Sequence, residues 1–303
     1  MLLPSSPDSC NTRYPLLLVH GVAVRDGKKG RIWGRIPEAL RSQGARVYFG
    51  QADAWGTPEH NAVQLLERLP AILADSGATK VNLIAHSKGG LDSRHLIALY
   101  DGCEDELPIA SLTTIATPHH GARTIEAPLR YLRPFMVPLA LAVNGIYKVV
   151  GDSKPDFFGC CWRVTPSYMQ NFNRAQPSLA PVYSQQFASS LHGILDDPLS
   201  IFTYPSIEWL DGPNDGLVSV RSATYDNFRG ECSTAVGRGI AHITLIDMMR
   251  RPFSKRTPPG TVRRAPMQYA AGAADGCPDI PLVCEDILEF YLALVADLKA
   301  RGY

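Results

Sequence analysis

The residues best suited to chemistry are a serine, an aspartate and a histidine, far apart in the chain but in a meaningful order. The serine lies in Val81-Asn82-Leu83-Ile84-Ala85-His86-Ser87-Lys88-Gly89-Gly90-Leu91. An apolar run ends at His86-Ser87, and small residues lead into a helical pattern. This is the form of a nucleophile elbow, a strained strand-to-helix turn that lifts a hydroxyl above a sheet. Small residues two before and two after the serine let neighbouring backbones approach. Here they are Ala85 and Gly89, with alanine where such turns usually carry glycine.

A serine hydroxyl needs a base to take its proton, and the base needs an acid to hold its tautomer. Turns of this kind occur with the order Ser, then Asp or Glu, then His. His242, in Gly239-Ile240-Ala241-His242-Ile243-Thr244, is the sole histidine after the acid candidates. His95 falls two turns into the helix after Ser87, and His119 and His120 precede the acids. The acids are Asp211 and Asp215, in Trp209-Leu210-Asp211-Gly212-Pro213-Asn214-Asp215-Gly216-Leu217-Val218. Asp215 is preferred because Gly216 and an apolar run follow it and can anchor it. Asp211 stays open as the alternative, with a turn-forming role as its other reading. Upstream, Leu17-Leu18-Val19-His20-Gly21-Val22 is a strand running into His-Gly. Such a turn can offer a backbone N–H to the negative charge that builds on a carbonyl oxygen during acyl transfer. The expected donors are Val22 N–H and Lys88 N–H, the second at a helix start where the dipole assists.

These residues need a rigid frame. Residues 16–19, 81–85 and 112–116 read as buried strands, and 46–50 as a further strand. Residues 32–42, 58–75 and 91–100 read as helices, with Val63, Leu66, Leu69, Ile72 and Leu73 as an apolar stripe. Strand and helix in alternation imply a mostly parallel sheet covered on both faces. From 121 to 161 the pattern changes. Pro128, Pro134 and Pro138 interrupt a strongly apolar stretch, which suits a helical cap better than a core strand. Within it Phe135, Met136, Leu139, Leu141 and Ile146 belong to an apolar set too dense for one helix face to hide, and are expected to face substrate or form a lid. Strand-like runs return at 181–187 and 201–209. Residues 251–281 look like a Pro/Arg-rich loop insertion, and 284–299 like a final helix. One domain is expected over 1–303.

The bulk properties fit an ordinary soluble globular protein. Of 303 residues, 45% are hydrophobic and 19% charged, and the net charge of +1 gives no pull toward nucleic acid. No stretch is long and apolar enough to span a bilayer. Residues 1–14 lack the apolar run of a signal peptide. Seven cysteines include adjacent Cys160-Cys161, and Cys277 and Cys284 are near enough in sequence to pair. No cysteine or histidine set has zinc-ligand spacing.

Four separated motifs, in order, carry a resemblance to a known family. They are Tyr14-Pro15-Leu16-Leu17-Leu18-Val19-His20-Gly21, then 77–83 leading into His86-Ser87-Lys88-Gly89-Gly90, then Thr114-Ile115-Ala116-Thr117-Pro118-His119-His120-Gly121, and Asn214-Asp215-Gly216-Leu217-Val218-Ser219. The sequence resembles the bacterial true lipases (triacylglycerol lipases) of the α/β-hydrolase superfamily, over 14–249 and the last helix. The resemblance implies an α/β-hydrolase fold, Ser87, Asp215 and His242 as the triad, Val22 and Lys88 as the oxyanion hole, and a mobile helical cap at 121–161. It implies hydrolysis of esters or lipids, at a lipid–water interface where the cap opens, with no cofactor in catalysis. It also favours a secreted mature form over a cytoplasmic one. Relatives with the same triad that hydrolyse short esters, thioesters or polyesters remain alternatives, as does a non-catalytic binding module. Members often bind a structural calcium through an aspartate two residues after the histidine. That position is Thr244 here, with Asp247 as the next acid and Asp196 or Asp197 as the partner, so a structural calcium implied by the resemblance would lack its usual carboxylate.

Overall fold

The computed structural model describes residues 8–27, 30–101, 103, 106–253, 269–270 and 279–303. Its frame is a seven-stranded sheet. In chain order the strands are β1 (Leu16–Val19), β2 (Val47–Phe49), β3 (Val81–His86), β4 (Ile109–Ile115), β5 (Tyr183–Ser189), β6 (Phe228–Thr234), β7 (Tyr269–Ala270), β8 (Ile280–Pro281) and β9 (Val283–Cys284). The sheet order is β2-β1-β3-β4-β5-β6-β9, and every neighbour pair is parallel. β7 and β8 form a short antiparallel pair of their own.

Parallel strands buried on both faces are enriched in apolar residues, and β1 shows how its two faces are used. Leu16 and Leu18 join one core with Ile84, Phe187, Phe290 and Leu294, while Leu17 and Val19 join the other with Leu65, Leu83 and Leu112. The first core is closed by α1 (Ile36–Ser42) and α10 (Ile287–Ala300), the second by α2 (Pro58–Ser76) and α3 (Lys88–Ala98). Full burial of each such side chain is worth roughly 1.5–3 kcal/mol. α2 starts with Thr57 as cap and Pro58 in its first turn, and stops at Gly77 with φ 65°. Its buried stripe is Ala62, Leu65, Leu69 and Ile72 rather than the one marked by Val63 and Leu66, and Val63 is exposed.

The β4–β5 connection is wholly helical in its ordered elements: α4 (Arg123–Tyr131), α5 (Arg133–Val150), α6 (Phe157–Arg163) and α7 (Pro166–Ala175). The helical stretch therefore continues past residue 161 to Ala175. Pro134 sits in the first turn of α5, where no intrahelical N–H is needed, and α5 carries Pro138 in its interior. Only Ala140 of α5 is buried.

The strand expected at 201–209 is instead a helix, α8 (Thr203–Asp211), followed by α9 (Val220–Ala223). This run packs on α4 and leaves Phe202 and Trp209 exposed. A short apolar run does not by itself distinguish strand from helix. Most of the expected insertion at 251–281, and Cys277, lie outside the described residues. Among the described residues no helix is long and apolar enough to cross a membrane.

Candidate active site

The site lies beyond the carboxyl ends of β1, β3 and β5, where an open parallel sheet leaves a crevice. β3 runs straight into Ser87, whose φ of 56° and ψ of −132° are strained for any residue with a Cβ. The strain is held by neighbours. Ser87 N–H donates to Ile115 O at 2.9 Å, and Thr117 Oγ1 donates to Ser87 O at 2.8 Å. The small residues of the elbow are needed for close approach. A Cβ on Gly89 would lie 2.4 Å from His20 O, so α3 can press against the end of β1 only with glycine there. A Cβ on Gly21 would lie 2.7 Å from Ser87 Cβ and 3.1 Å from its Oγ. The loop after β1 thus runs directly against the serine side chain. Among the described residues neither Val22 N–H nor Lys88 N–H donates to another backbone group, which leaves both available.

Asp215 and His242 meet although 27 positions separate them. His242 Nδ1 donates to Asp215 Oδ2 at 2.6 Å, and Asp215 is fully buried. Asp215 Oδ1 accepts from Leu217 N–H at 3.0 Å and Val218 N–H at 2.8 Å, so both oxygens are committed. The backbone closes the pair a second time, with His242 N–H on Asp215 O at 3.0 Å. Both loops are strapped to the end of β5: Leu191 N–H donates to Asn214 O at 2.7 Å and Ile240 N–H to Ser190 O at 3.0 Å. Asp211, the alternative acid, is elsewhere. It takes the Ser219 hydroxyl and lies near Arg123 and Arg221 at the surface. The other histidines also have other surroundings. His95 stacks on Phe172 at 4.2 Å and burial holds it down at about 4, while His119 is fully buried between Arg94 and Thr114.

Several residues that sequence reading passed over hold this arrangement. The His86 ring lies 4.4 Å from the His242 ring, and His86 Nε2 donates to His242 O at 3.1 Å. Burial, then the neighbouring His242, hold His86 well below the usual histidine range, so it is neutral. Lys88, beside Ser87, buries its ammonium. Nζ donates to both oxygens of Asp92 at 2.8 and 2.7 Å and to Gly56 O at 3.2 Å, and Asn61 completes the set on Asp92. The spacing of Lys88 and Asp92, four apart on one helix, was a readable signal; Asn61 and Gly56 were not.

The predicted lid residues all fall on α5. Phe135, Leu139, Leu141 and Ile146 are exposed, and Met136 is half-buried. The far end of α5 is tied to the loop that carries Val22, since Tyr147 Oη donates to Ala23 O at 2.8 Å.

The candidate calcium ligands do not compose a calcium site. Asp196 takes Arg238 Nε at 3.1 Å and the N–H groups of His192 and Gly239, and Asp247 takes Arg35 through three nitrogens. Asp197 caps a turn through Leu199 N–H and Ser200 Oγ. A hard cation needs six to eight oxygens free to face it, and here the carboxylates already face donors.

No family model matches the chain. A triacylglycerol lipase of Pseudarthrobacter phenanthrenivorans is 42% identical over 116 residues, which is 37% of this chain and 35% of that protein. The match thus spans about a third of the length of this curated relative. A triacylglycerol lipase of Vibrio cholerae is 29% identical over 254 residues, 76% of each. Among solved structures, the mature Bacillus licheniformis lipase superposes with a TM-score of 0.60 at 18% identity, covering 81% of this chain and 90% of that one. The chain has the α/β-hydrolase fold and is related in sequence to proteins named triacylglycerol lipase.

Proposed function

We propose that this protein is a serine hydrolase that cleaves carboxylic esters, acting as a lipase on acylglycerols through an acyl-enzyme on Ser87. The observation that carries the reading is the 2.6 Å bond from His242 Nδ1 to a fully buried Asp215, in a chain whose only strained strand-to-helix elbow among the described residues presents Ser87. His242 Nε2 takes the serine proton as Oγ attacks the ester carbonyl, then gives it to the departing alkoxide. Asp215 keeps the proton of the neutral ring on Nδ1 and stabilises the imidazolium that forms. Val22 N–H and Lys88 N–H receive the oxyanion. Water, deprotonated by the same histidine, frees the acid and restores Ser87. No cofactor takes part in these steps.

The lipase reading, as against an esterase for short soluble esters, rests on α5. An unpaired apolar helix face on a protein surface marks an interaction site. Ser87 is only 6% exposed, and Tyr147 ties α5 to the loop that runs against it; the role proposed for α5 is a lid that shields the site in water and moves aside on lipid. The test is hydrolysis of tributyrin across its solubility limit. A lid gives a rate that climbs when emulsion forms. A rate that saturates below the limit and stays flat leaves the triad in place and makes the protein a carboxylesterase.

A further inference from the structure

We propose that a cavity between α4, α5 and α6 is a second lipid site, which binds a long-chain carboxylate away from the triad. The cavity measures about 350 Å³, within the range of small-ligand pockets. None of Ser87, Asp215 or His242 lines it. Its apolar wall is Leu129, Phe158 and Trp162, and its rim carries Arg130, Arg133 and Arg163.

The three guanidinium groups are not equivalent. Arg163 is committed to Glu59, with its Nε 2.9 Å from both carboxylate oxygens. Arg130 and Arg133 form no ion pair among the described residues. They rest over rings instead: Arg133 over Phe158 at 5.6 Å and Arg130 over Tyr131 at 5.9 Å. Both side chains are exposed, and Trp162 presents a large apolar ring beside them. Two free planar cations above an apolar wall match a ligand with an anionic planar head and an alkyl tail. A guanidinium pairs a carboxylate through two parallel N–H bonds, which an alcohol head cannot reproduce. The choice of a carboxylate among anionic heads rests on the proposed ester hydrolysis, which releases one at every turnover.

The test is equilibrium binding of sodium laurate below its micelle-forming concentration, by calorimetry, with a bromine-labelled laurate as fluorescence quencher. The wild type should bind laurate more tightly than dodecanol. Arg130→Gln with Arg133→Gln should weaken laurate by about tenfold or more, the scale of one or two lost charge-assisted bonds. Its melting temperature should hold, since both residues are exposed. Quenching should fall in Trp162→Phe. Equal laurate affinity in the double variant, equal affinity for dodecanol, no binding at all, or undiminished quenching in Trp162→Phe would each overturn the proposal. Binding is read without turnover, so a failure here is separate from a failure of the hydrolase reading.

Discussion

Replacing Asp215 with asparagine exchanges one oxygen for one NH2, and the hydrogen bonds dictate how the amide must sit. Oδ1 accepts from Leu217 and Val218 N–H, so the amide oxygen has to remain there. Turned the other way, the NH2 would face two donors in a fully buried place, at about 1–3 kcal/mol for each group left unsatisfied. The NH2 therefore faces His242 Nδ1. That nitrogen must then present its lone pair, the ring proton moves to Nε2, and Nε2 can no longer take a proton from Ser87. The fold keeps its bonds while the base is disabled. The same exchange in a well-studied triad costs about ten-thousand-fold in turnover, or ~5.4 kcal/mol of barrier. Asp215 lies behind the histidine, so KM should change little. Asp211→Asn is the control. Its carboxylate takes the Ser219 hydroxyl and lies 3.8 and 3.6 Å from the exposed Arg123 and Arg221, with no bond to His242. The assay is kcat and KM on a soluble short-chain nitrophenyl ester, with melting temperatures beside them. Turnover of Asp215→Asn within tenfold of wild type, or a deeper loss in Asp211→Asn, would rule out Asp215 as the triad acid.

Leu141 is 68% exposed and Ala140 5%, so Leu141→Asp should leave the melting temperature near wild type yet blunt the rise in rate on emulsion. Ala140→Asp should lower the melting temperature clearly, since it puts an unpaired charge in packing. An undiminished emulsion rise in Leu141→Asp speaks against the lid. Burial holds His86 and His119 well below the ordinary histidine range and His95 at about 4. Each binds a proton on unfolding that it refuses when folded. Their contribution to stability is therefore whole above about pH 6.5 and fades as pH falls from there toward 4. The melting temperature should drop from pH 7.5 to 5, less steeply in His95→Phe; a flat or rising profile contradicts the assignment. Treatment with EDTA should leave hydrolysis unchanged, and an activity loss reversed by added calcium would show that the acids near His242 bind metal after all.

The sequence made the chemistry more legible than the scaffold. An elbow is a local object, written in eleven consecutive residues, and the order of Ser87, Asp215 and His242 narrows the remaining choices. The strands β1, β3 and β4 are readable because each carries a short apolar run, Leu16–Val19, Leu83–Ala85 or Leu112 with Ile115, at buried positions. β6, with Arg229 and Glu231 half-buried at a thinly covered part of the sheet, carries no such run. Residues 201–209 read as a strand because Phe202 and Trp209 look like core residues, yet both face outward, Trp209 from α8 and Phe202 from just before it. The supports of the site were hidden for a different reason. His86 on His242, Thr117 on Ser87 and Asn61 on Asp92 are contacts between segments that only the fold brings together.

The proposed mechanism stands on Ser87 as the nucleophile. Its most direct test is intact-mass spectrometry after exposure to a serine-directed fluorophosphonate, with peptide mapping, on wild type and Ser87→Ala. The wild type should take one adduct, located at Ser87, and the variant none, with turnover falling by something on the order of a million-fold. A variant that takes up the probe as readily as wild type and still hydrolyses ester would contradict it.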